Sequence, residues 1–116
     1  MRHVLFPVSE LEPGQMRAAG VGAVRVVVLR KRDGSVRALR DVCAHRGAQL
    51  SNGRLGRLVV GEIPGDRRLN ETEVLLCPWH GFEFDVDSGR CVADPERVRV
   101  RSYRVAVEDG MVVLER

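Results

Sequence analysis

Short runs of alternating apolar and polar residues, separated by turn residues, dominate the chain. The run VGAVRVVVLR (21–30), then KRDGS and VRALR, predicts a β-hairpin whose turn contains Asp33-Gly34. A second hairpin is predicted near the C-terminus, where VRVRSYRVAV leads through Asp109-Gly110 into MVVLE. A third joins RLVVGEI to RRLNETEVLL through Pro64-Gly65-Asp66. These patterns predict an all-β chain of short antiparallel strands.

The remaining patterns add a turn but no long helix. Glu12-Pro13-Gly14 has proline and glycine in the order that a type II turn requires. No apolar pattern of helical period persists for three turns, so any helix should be short. A length of 116 residues predicts a single domain, 1–116.

The composition agrees with a folded β domain and restricts the classes of function. Apolar residues make up 44% of the chain, with valine dominant, and charged residues make up 30%, which argues against disorder. The net charge of +3 comes from eighteen arginines and one lysine against sixteen acids. Such a mild excess is weak evidence for nucleic acid and fits an acidic protein partner equally well. We expect no nucleic acid as a partner.

The same composition indicates where the protein resides. No apolar run approaches the roughly 20 residues that span a bilayer, and the apolar stretch in MRHVLFPVSELEPG is too short for a signal peptide. Three cysteines cannot all pair internally, which disfavours a disulfide framework. We therefore expect a soluble, cytoplasmic protein without a membrane partner, in which at least two cysteines bind metal.

Two cysteine–histidine pairs are the candidate metal ligands. Cys43 and His45 form a Cys-x-His, and Cys77 and His80 form a Cys-x-x-His. Both pairs begin where a strand pattern gives way to a glycine-containing loop, a usual position for a functional site. Either pair alone is weak evidence, since buried cysteines often fill small apolar spaces and loop histidines are often surface residues. Two matching pairs together strongly indicate one common centre.

Two kinds of centre fit these four donors. A single tetrahedral zinc and an iron–sulfur centre both accept two sulfur and two nitrogen ligands, so donor type alone leaves both open. A two-iron cluster with mixed ligands has two cysteines on one iron and two histidines on the other. One sulfur and one imidazole in each loop suit that arrangement.

The two loops resemble those of Rieske proteins. CAHRGAQLSNG matches Cys-x-His-x-Gly, and CPWHGFEFD, followed by SGR, matches Cys-Pro-x-His-Gly. The resemblance is close over about 40–90 and looser in the flanking strands. It implies one [2Fe-2S] cluster per chain, with Cys43 and Cys77 on the buried iron and His45 and His80 on the exposed iron.

The resemblance also implies a fold. A Rieske-type fold is a small all-β domain in which a cluster-binding subdomain, here about 41–86, is set on a base of antiparallel strands, here 1–40 and 87–116. A proline-bearing loop covers the cluster in the family, which would place Pro95 there. Cys91 is expected to be a free thiol packed as a small hydrophobe, and His3 is not expected to be a ligand.

The sequence departs from the Rieske proteins of respiratory and photosynthetic cytochrome complexes. Ala48 and Trp79 stand where those proteins have two further cysteines joined in a disulfide. Phe82 and Phe84 stand where they have hydroxyl groups that donate hydrogen bonds to cluster sulfurs. Without these donors the reduced cluster is less stabilised, so we expect a potential near the low end of the Rieske range, about −150 mV. These departures resemble the ferredoxins and oxygenase domains of aromatic-ring hydroxylation.

The spacing between the loops is a further departure. Thirty-one residues separate His45 from Cys77, more than a compact Rieske ferredoxin is expected to have. The predicted hairpin around Pro64-Gly65 accounts for the excess. It is either an elongated surface hairpin or an element that docks a partner beside the cluster.

The resemblance implies one-electron transfer, with the exposed histidine edge as the port for electrons. A complete Rieske oxygenase also needs a mononuclear iron held by two histidines and a carboxylate, but this sequence has three histidines, two of them assigned. We therefore expect a ferredoxin and not an enzyme, which passes electrons from a ferredoxin reductase to a terminal oxygenase or other redox acceptor. The alternatives are a small subunit or fragment of a Rieske oxygenase, a zinc-binding structural module with the same ligands, and an iron–sulfur redox sensor.

Overall fold

A computed structural model describes residues 1–43, 47–60, 68–78 and 82–116. Within these ranges nine strands form two antiparallel sheets, and no α-helix is present, which confirms the all-β prediction. The strands are β1 (Arg2–Pro7), β2 (Met16–Val21), β3 (Val24–Arg30), β4 (Val36–Arg40), β5 (Arg54–Val60), β6 (Arg68–Leu76), β7 (Glu83–Asp85), β8 (Ser102–Glu108) and β9 (Met111–Glu115). Two short 3₁₀ turns, Val8–Glu10 and Leu50–Asn52, complete the described elements.

The base of the molecule is a six-stranded sheet in the order β1-β9-β8-β4-β3-β2. Its strand β3 is buried on both faces, because Val26 and Val28 pack on one side while Val27 and Leu29 pack on the other. A strand covered on both faces needs apolar residues at every position, which is why this part of the sequence reads VVVL without alternation.

The two faces of β3 belong to two separate hydrophobic cores. The base core is formed by strands of the six-stranded sheet together with Leu11. Its members are Phe6, Leu11, Val21, Val26, Val28, Val36, Ala38, Val112 and Leu114. The second core, here called the intersheet core, contains Val27, Leu29, Leu39, Cys43, Leu50, Leu75, Cys77, Phe84, Val86, Cys91 and Val100. All three cysteines therefore lie in the core that joins the base to the second sheet.

The second sheet has three strands in the order β5-β6-β7. Its register pairs Leu76, the last residue of β6, with Arg54 on one side and with Glu83 on the other. Because β5 begins at Arg54 and β7 begins at Glu83, the loops that precede these two strands emerge side by side at this end of the sheet.

Two predicted turns have the geometry that their residues require. Asp109 and Gly110 both have positive φ, 51° and 76°, as in the type I′ turn of a two-residue hairpin. At the other turn, the N–H of Gln15 donates to the carbonyl of Glu12 at 3.0 Å, and Gly14 has φ of 88°. Proline followed by a glycine with positive φ is the type II arrangement.

Two predicted strands have different bounds in the structure. The run 21–30 is not one strand, because Gly22, with φ of 63°, turns the chain between the end of β2 and the start of β3. The C-terminal hairpin begins at Ser102 and not at Val98, and Arg99 forms only an isolated bridge to Arg90.

The remaining predictions about the fold have different outcomes. The hairpin of β5 and β6 is confirmed, and its turn at Pro64-Gly65-Asp66 lies outside the described residues. The single domain over 1–116, with a subdomain at about 41–86, stays a prediction. Across the described ranges no helix has the length and apolar character that crossing a membrane would require.

Candidate metal centre

Two loops of the same construction present Cys43 and Cys77. The first loop, 41–53, connects β4 to β5, and the second, 77–82, connects β6 to β7. The N–H of Cys43 donates to the carbonyl of Ala48 at 2.7 Å, and the N–H of Cys77 donates to the carbonyl of Phe82 at 2.8 Å. In both cases the acceptor lies five residues after the cysteine. Each cysteine therefore begins a loop that is closed by a hydrogen bond from the N–H of that cysteine.

The thiols of these two residues are buried and belong to one core. Cys43 is 2% exposed and Cys77 is 3% exposed, and both pack in the intersheet core. No disulfide joins Cys43, Cys77 and Cys91, all of which are described by the structure. Cys91 is fully buried in the same core, and its N–H donates to the carbonyl of Val98 at 2.9 Å.

The two histidines of the predicted ligand set, His45 and His80, lie outside the described residues, as do Arg46 and Trp79. Their role as ligands stays a prediction. What the structure does describe is the end of the first loop, where Gly47 has φ of 72° and its N–H donates to the carbonyl of Cys43 at 2.9 Å. This left-handed conformation explains why the motif has glycine at that position.

A buried carboxylate, which the sequence analysis missed, holds the first loop in place. Asp41 is fully buried, and its two oxygens accept hydrogen bonds from the N–H of Ser51 at 2.6 Å and the hydroxyl of Ser51 at 2.7 Å. Arg25 on β3 donates to Asp41 at 3.1 Å. These bonds tie the start of the loop to its end and to the base sheet.

A signal for Asp41 is present in the sequence. Leu39, Asp41 and Cys43 are buried, while Arg40 and Val42 between them are exposed, so the alternation of β4 continues beyond the end of the strand. An acid at an inward position of such an alternation must find hydrogen-bond partners inside the protein. Recognising that pattern would have identified Asp41 as a structural part of the loop.

A glycine allows the two loops to meet at the end of β6. A Cβ atom on Gly53 would lie 1.9 Å from the carbonyl oxygen of Leu76, the residue before Cys77. No side chain larger than hydrogen fits that approach. The SNG sequence at the end of the first loop therefore brings β5 against the backbone that carries the second cysteine.

The two phenylalanines after the second loop are Phe82 and Phe84. Phe84 is fully buried in the intersheet core, and Phe82 is half-buried and packs against it. Neither side chain can donate a hydrogen bond.

Pro95 and His3 are the two remaining positions on which the sequence makes a prediction. Pro95 is exposed in a turn that the N–H of Val98 closes by donating to the carbonyl of Asp94 at 3.0 Å, and its role as a cover stays a prediction. His3 lies in β1, opposite Leu114 in the base sheet, and belongs to neither loop.

An ion-pair cluster fixes the turn after β7 to the β3–β4 hairpin. Asp87 accepts from Lys31 at 3.0 Å and from Arg37 at 2.8 Å. Partial burial raises the pKa of the Asp87 carboxyl, but the hydrogen bonds and charges of Lys31 and Arg37 together outweigh it and hold the pKa below its usual 3.8. The carboxylate is therefore charged at neutral pH and links the two sheets.

Comparison with known proteins assigns a family to this arrangement. The Rieske [2Fe-2S] domain family matches residues 1–104. The ferredoxin CarAc of Metapseudomonas resinovorans is 31% identical over 105 residues, which cover 90% of this chain and 83% of that protein. The oxygenase component of dicamba O-demethylase from Stenotrophomonas maltophilia is 37% identical over 94 residues, which cover 75% of this chain and 23% of that protein. The chain spans 12% to 23% of the length of the first three curated relatives.

Solved structures show the same fold over the whole chain. The ferredoxin of carbazole 1,9a-dioxygenase from Nocardioides aromaticivorans IC177 superposes with a TM-score of 0.77 at 28% identity, covering 98% of this chain and 96% of that one. A putative NADH-dependent nitrite reductase small subunit from Mycobacterium tuberculosis superposes with a TM-score of 0.81 at 26% identity, covering 100% and 95%. The two structures come from proteins that are named for different enzyme systems, a carbazole dioxygenase and a nitrite reductase.

The described residues fit a [2Fe-2S] cluster. Iron–sulfur clusters take cysteine thiolates, which are more stable as metal ligands than as isolated buried charges. Cys43 and Cys77 form no disulfide, and both lie in one apolar core. Each begins a loop in which the sequence has a histidine shortly afterwards, His45 or His80. When bound, the cluster supplies reversible uptake and release of one electron. The two loops would hold it, and the intersheet core would exclude water from the thiolate side.

Proposed function

Because the chain belongs to the Rieske [2Fe-2S] domain family, whose cofactor carries one electron, we propose that this protein is a Rieske-type ferredoxin serving an oxygenase system. It takes single electrons from a ferredoxin reductase and delivers them to a terminal oxygenase or comparable acceptor. The observation that carries this proposal is the extent of the similarity to CarAc, 90% of this chain and 83% of that ferredoxin. A match of that extent leaves little of either protein unaccounted for.

In this proposal Cys43 and Cys77 bind the buried iron, and His45 and His80 bind the exposed iron. The burial of both thiols supports the first half of the assignment. The matched control for it is Cys91, a third buried cysteine in the same core but outside both loops. Cys43→Ser should abolish iron binding, whereas Cys91→Ser should retain about two irons per chain. Equal iron content in the two variants would remove Cys43 from the ligand set.

The proposal assigns no catalytic reaction to these 116 residues. A mononuclear iron site of the oxygenase type needs two histidines in addition to those on the cluster, and only His3 remains. His3 lies in the base sheet, on the edge strand β1. We propose the cytoplasmic location expected from the sequence, which three buried cysteines without a disulfide support.

A second candidate is the Rieske portion of an oxygenase component. Identity to the dicamba O-demethylase oxygenase component, 37%, is higher than identity to CarAc, 31%. In that case the electron would pass from the cluster to an iron site on another part of the same assembly, and no independent carrier would be needed.

Two measurements on the purified protein test the proposal. A reddish-brown protein with acid-labile sulfide and about two irons per chain supports the cluster, and a colourless protein containing zinc rejects it. The reduced protein is then mixed in a stopped-flow instrument with the oxygenase component of carbazole 1,9a-dioxygenase. Reoxidation faster than with dioxygen alone supports the carrier, and no acceleration favours the second candidate.

A further inference from the structure

Three exposed arginines surround a cleft that reaches one of the two loop cysteines. The cleft has a volume of about 710 Å³ and is lined by Arg40, Arg99 and Arg101 together with Val42, Cys43 and Val100. We propose that this surface, here called the arginine face (Arg40, Arg99 and Arg101), is the docking site for an acidic patch on the protein's redox partner. The inference rests on the proposed function, because it names the chemistry by which the partner is recognised.

The backbone holds the arginine face rigidly. The N–H of Arg40 donates to the carbonyl of Arg101 at 2.9 Å, and the N–H of Val100 donates to the carbonyl of Gly89 at 2.7 Å. The backbone of Arg99 forms an isolated antiparallel β-bridge with the backbone of Arg90. The segment is thus bonded on both sides, and less conformational entropy is lost when a partner binds to it.

The positive charge of the arginine face is not neutralised within the described protein. Arg2, Arg17, Arg25, Lys31, Arg37 and Arg104 each form an ion pair with a carboxylate. Among the described residues, Arg40, Arg99 and Arg101 form none, and Arg101 instead stacks on the ring of Tyr103 at 5.0 Å. Uncompensated charges of one sign on a concave surface attract a partner of the opposite sign and orient its approach.

The arginine face lies directly over the core that contains the loop cysteines. Arg99 and Arg101 are exposed, whereas Val100 between them is 4% exposed and packs in the intersheet core with Cys43 and Cys77. Val100 and Cys43 both line the cleft, so the docking surface adjoins the core that contains the two thiols. A partner bound here would contact Val42 at the start of the first loop and would lie close to the cluster.

The surroundings of the arginines favour a protein partner over a phosphate-bearing ligand. Val42, which lines the cleft, is 37% exposed, so apolar surface lies among the charges. Protein interfaces combine apolar contacts with arginine, and arginine binds carboxylates through two parallel hydrogen bonds. The partner is expected to present aspartate or glutamate side chains around a small apolar patch.

The test compares two double variants that remove the same charge from the cluster-loaded protein. R99Q/R101Q changes the arginine face, and R32Q/R104Q changes one residue of the β3–β4 turn and one on β8, neither of which lines the cleft. A synthetic oligoglutamate peptide is titrated against each protein by calorimetry at low ionic strength. R99Q/R101Q should bind it about tenfold more weakly than the unmodified protein, and R32Q/R104Q should bind it nearly as well.

The same proteins are then reduced and oxidised by ferricyanide in a stopped-flow instrument. An oligoglutamate concentration that just saturates the unmodified protein should slow oxidation of that protein and of R32Q/R104Q, and should slow oxidation of R99Q/R101Q clearly less. Equal peptide affinity in the two double variants would overturn the docking site, as would tighter binding of inorganic tripolyphosphate than of the peptide. An iron-free protein would instead overturn the proposed function, and the peptide titration would still report on the arginine face.

Discussion

At the scale of single residues, the carboxylate of Asp41 ties the beginning of the first loop to Ser51 near its end. Asp41→Asn keeps the shape of the side chain but replaces one accepting oxygen with an amide that cannot accept. We expect a loss of about 2 kcal/mol in the free energy of unfolding, since hydrogen bonds to a buried charged group are lost. Urea unfolding, followed by visible absorbance of the cluster and by circular dichroism, measures this loss.

Ser51→Ala is the matched comparison for that variant. It removes only the hydroxyl donor and keeps the backbone N–H bond to Asp41, so the loss should be smaller, about 1 kcal/mol. If Asp41→Asn unfolded at the same urea concentration as the unmodified protein, the hydrogen bonds between Asp41 and Ser51 would have no role in holding the loop.

Phe82 is the residue at which the potential can be tested. Phe82→Ser introduces a hydroxyl where the Rieske proteins of cytochrome complexes donate to a cluster sulfur. A bond about 1 kcal/mol stronger in the reduced state would raise the potential by about 40 mV. Phe82→Ala opens the same space without a donor. Protein-film voltammetry should show a higher potential for the serine variant than for the alanine variant. Equal potentials would contradict the hydrogen-bond explanation of a low potential.

Residue types and their spacing predict the two cysteines as candidate ligands but do not predict the role of Asp41. Cys43 and Cys77 are recognisable because soft donors recur in two glycine-containing loops. Asp41 is not recognisable from its type, because an acid after a strand is usually solvated. Only its place in the alternation, midway between buried Leu39 and buried Cys43, shows that it points inward.

At the scale of elements, Gly53 determines how closely β5 and the first loop approach β6. A methyl group at this position would overlap the carbonyl oxygen of Leu76 at 1.9 Å, and the backbone before Cys77 would have to move. Gly53→Ala should destabilise the protein by about 3 kcal/mol and lower its iron content. Urea unfolding and iron analysis of the purified variant measure both effects.

Gly20 in β2 is the control glycine. A Cβ atom there meets no heavy atom within 4 Å. Gly20→Ala should therefore change the stability by no more than about 0.5 kcal/mol and leave the iron content unchanged. Similar behaviour of the two alanine variants would show that the close approach at Gly53 is not required.

Elements with their own local signals are predictable, and elements that depend on partners are not. The hairpin at Asp109-Gly110 follows from a turn that only such residues adopt easily, and it is confirmed. Strand β2, MRAAGV, was missed because alanine and glycine have low strand propensity and its place depends on pairing with β3. The segment 98–101 alternates like a strand but is held by single backbone bonds to its neighbours instead.

At the scale of the whole molecule, polar contacts join the two sheets around the intersheet core. Asp87 binds Lys31 and Arg37, and Glu73 on β6 accepts from the backbone N–H of Arg32 at 3.0 Å. The pKa of Asp87 is lowered from 3.8 in the folded protein. Its contribution to stability is therefore present above about pH 3.8 and is lost as the pH falls through the folded pKa.

Asp87→Asn tests this dependence on pH. At pH 7 the variant should unfold in urea faster than the unmodified protein, as measured by far-UV circular dichroism, because the link between the sheets is weakened. The ratio of the two rates should fall towards one as the pH is lowered below about 3.8, where the carboxylate of the unmodified protein becomes protonated. A ratio that is independent of pH would show that the charge of Asp87 does not contribute.

The proposed function requires two irons bridged by sulfide and bound unsymmetrically, by thiolates at one end and imidazoles at the other. Mössbauer spectroscopy of the protein enriched in ⁵⁷Fe and reduced by one electron measures this most directly. This ligand arrangement predicts two iron sites of equal intensity, a ferric site with sulfur ligands only and a ferrous site with two nitrogen ligands. Two sites with sulfur ligands only, a single mononuclear iron, or zinc in place of iron would contradict it.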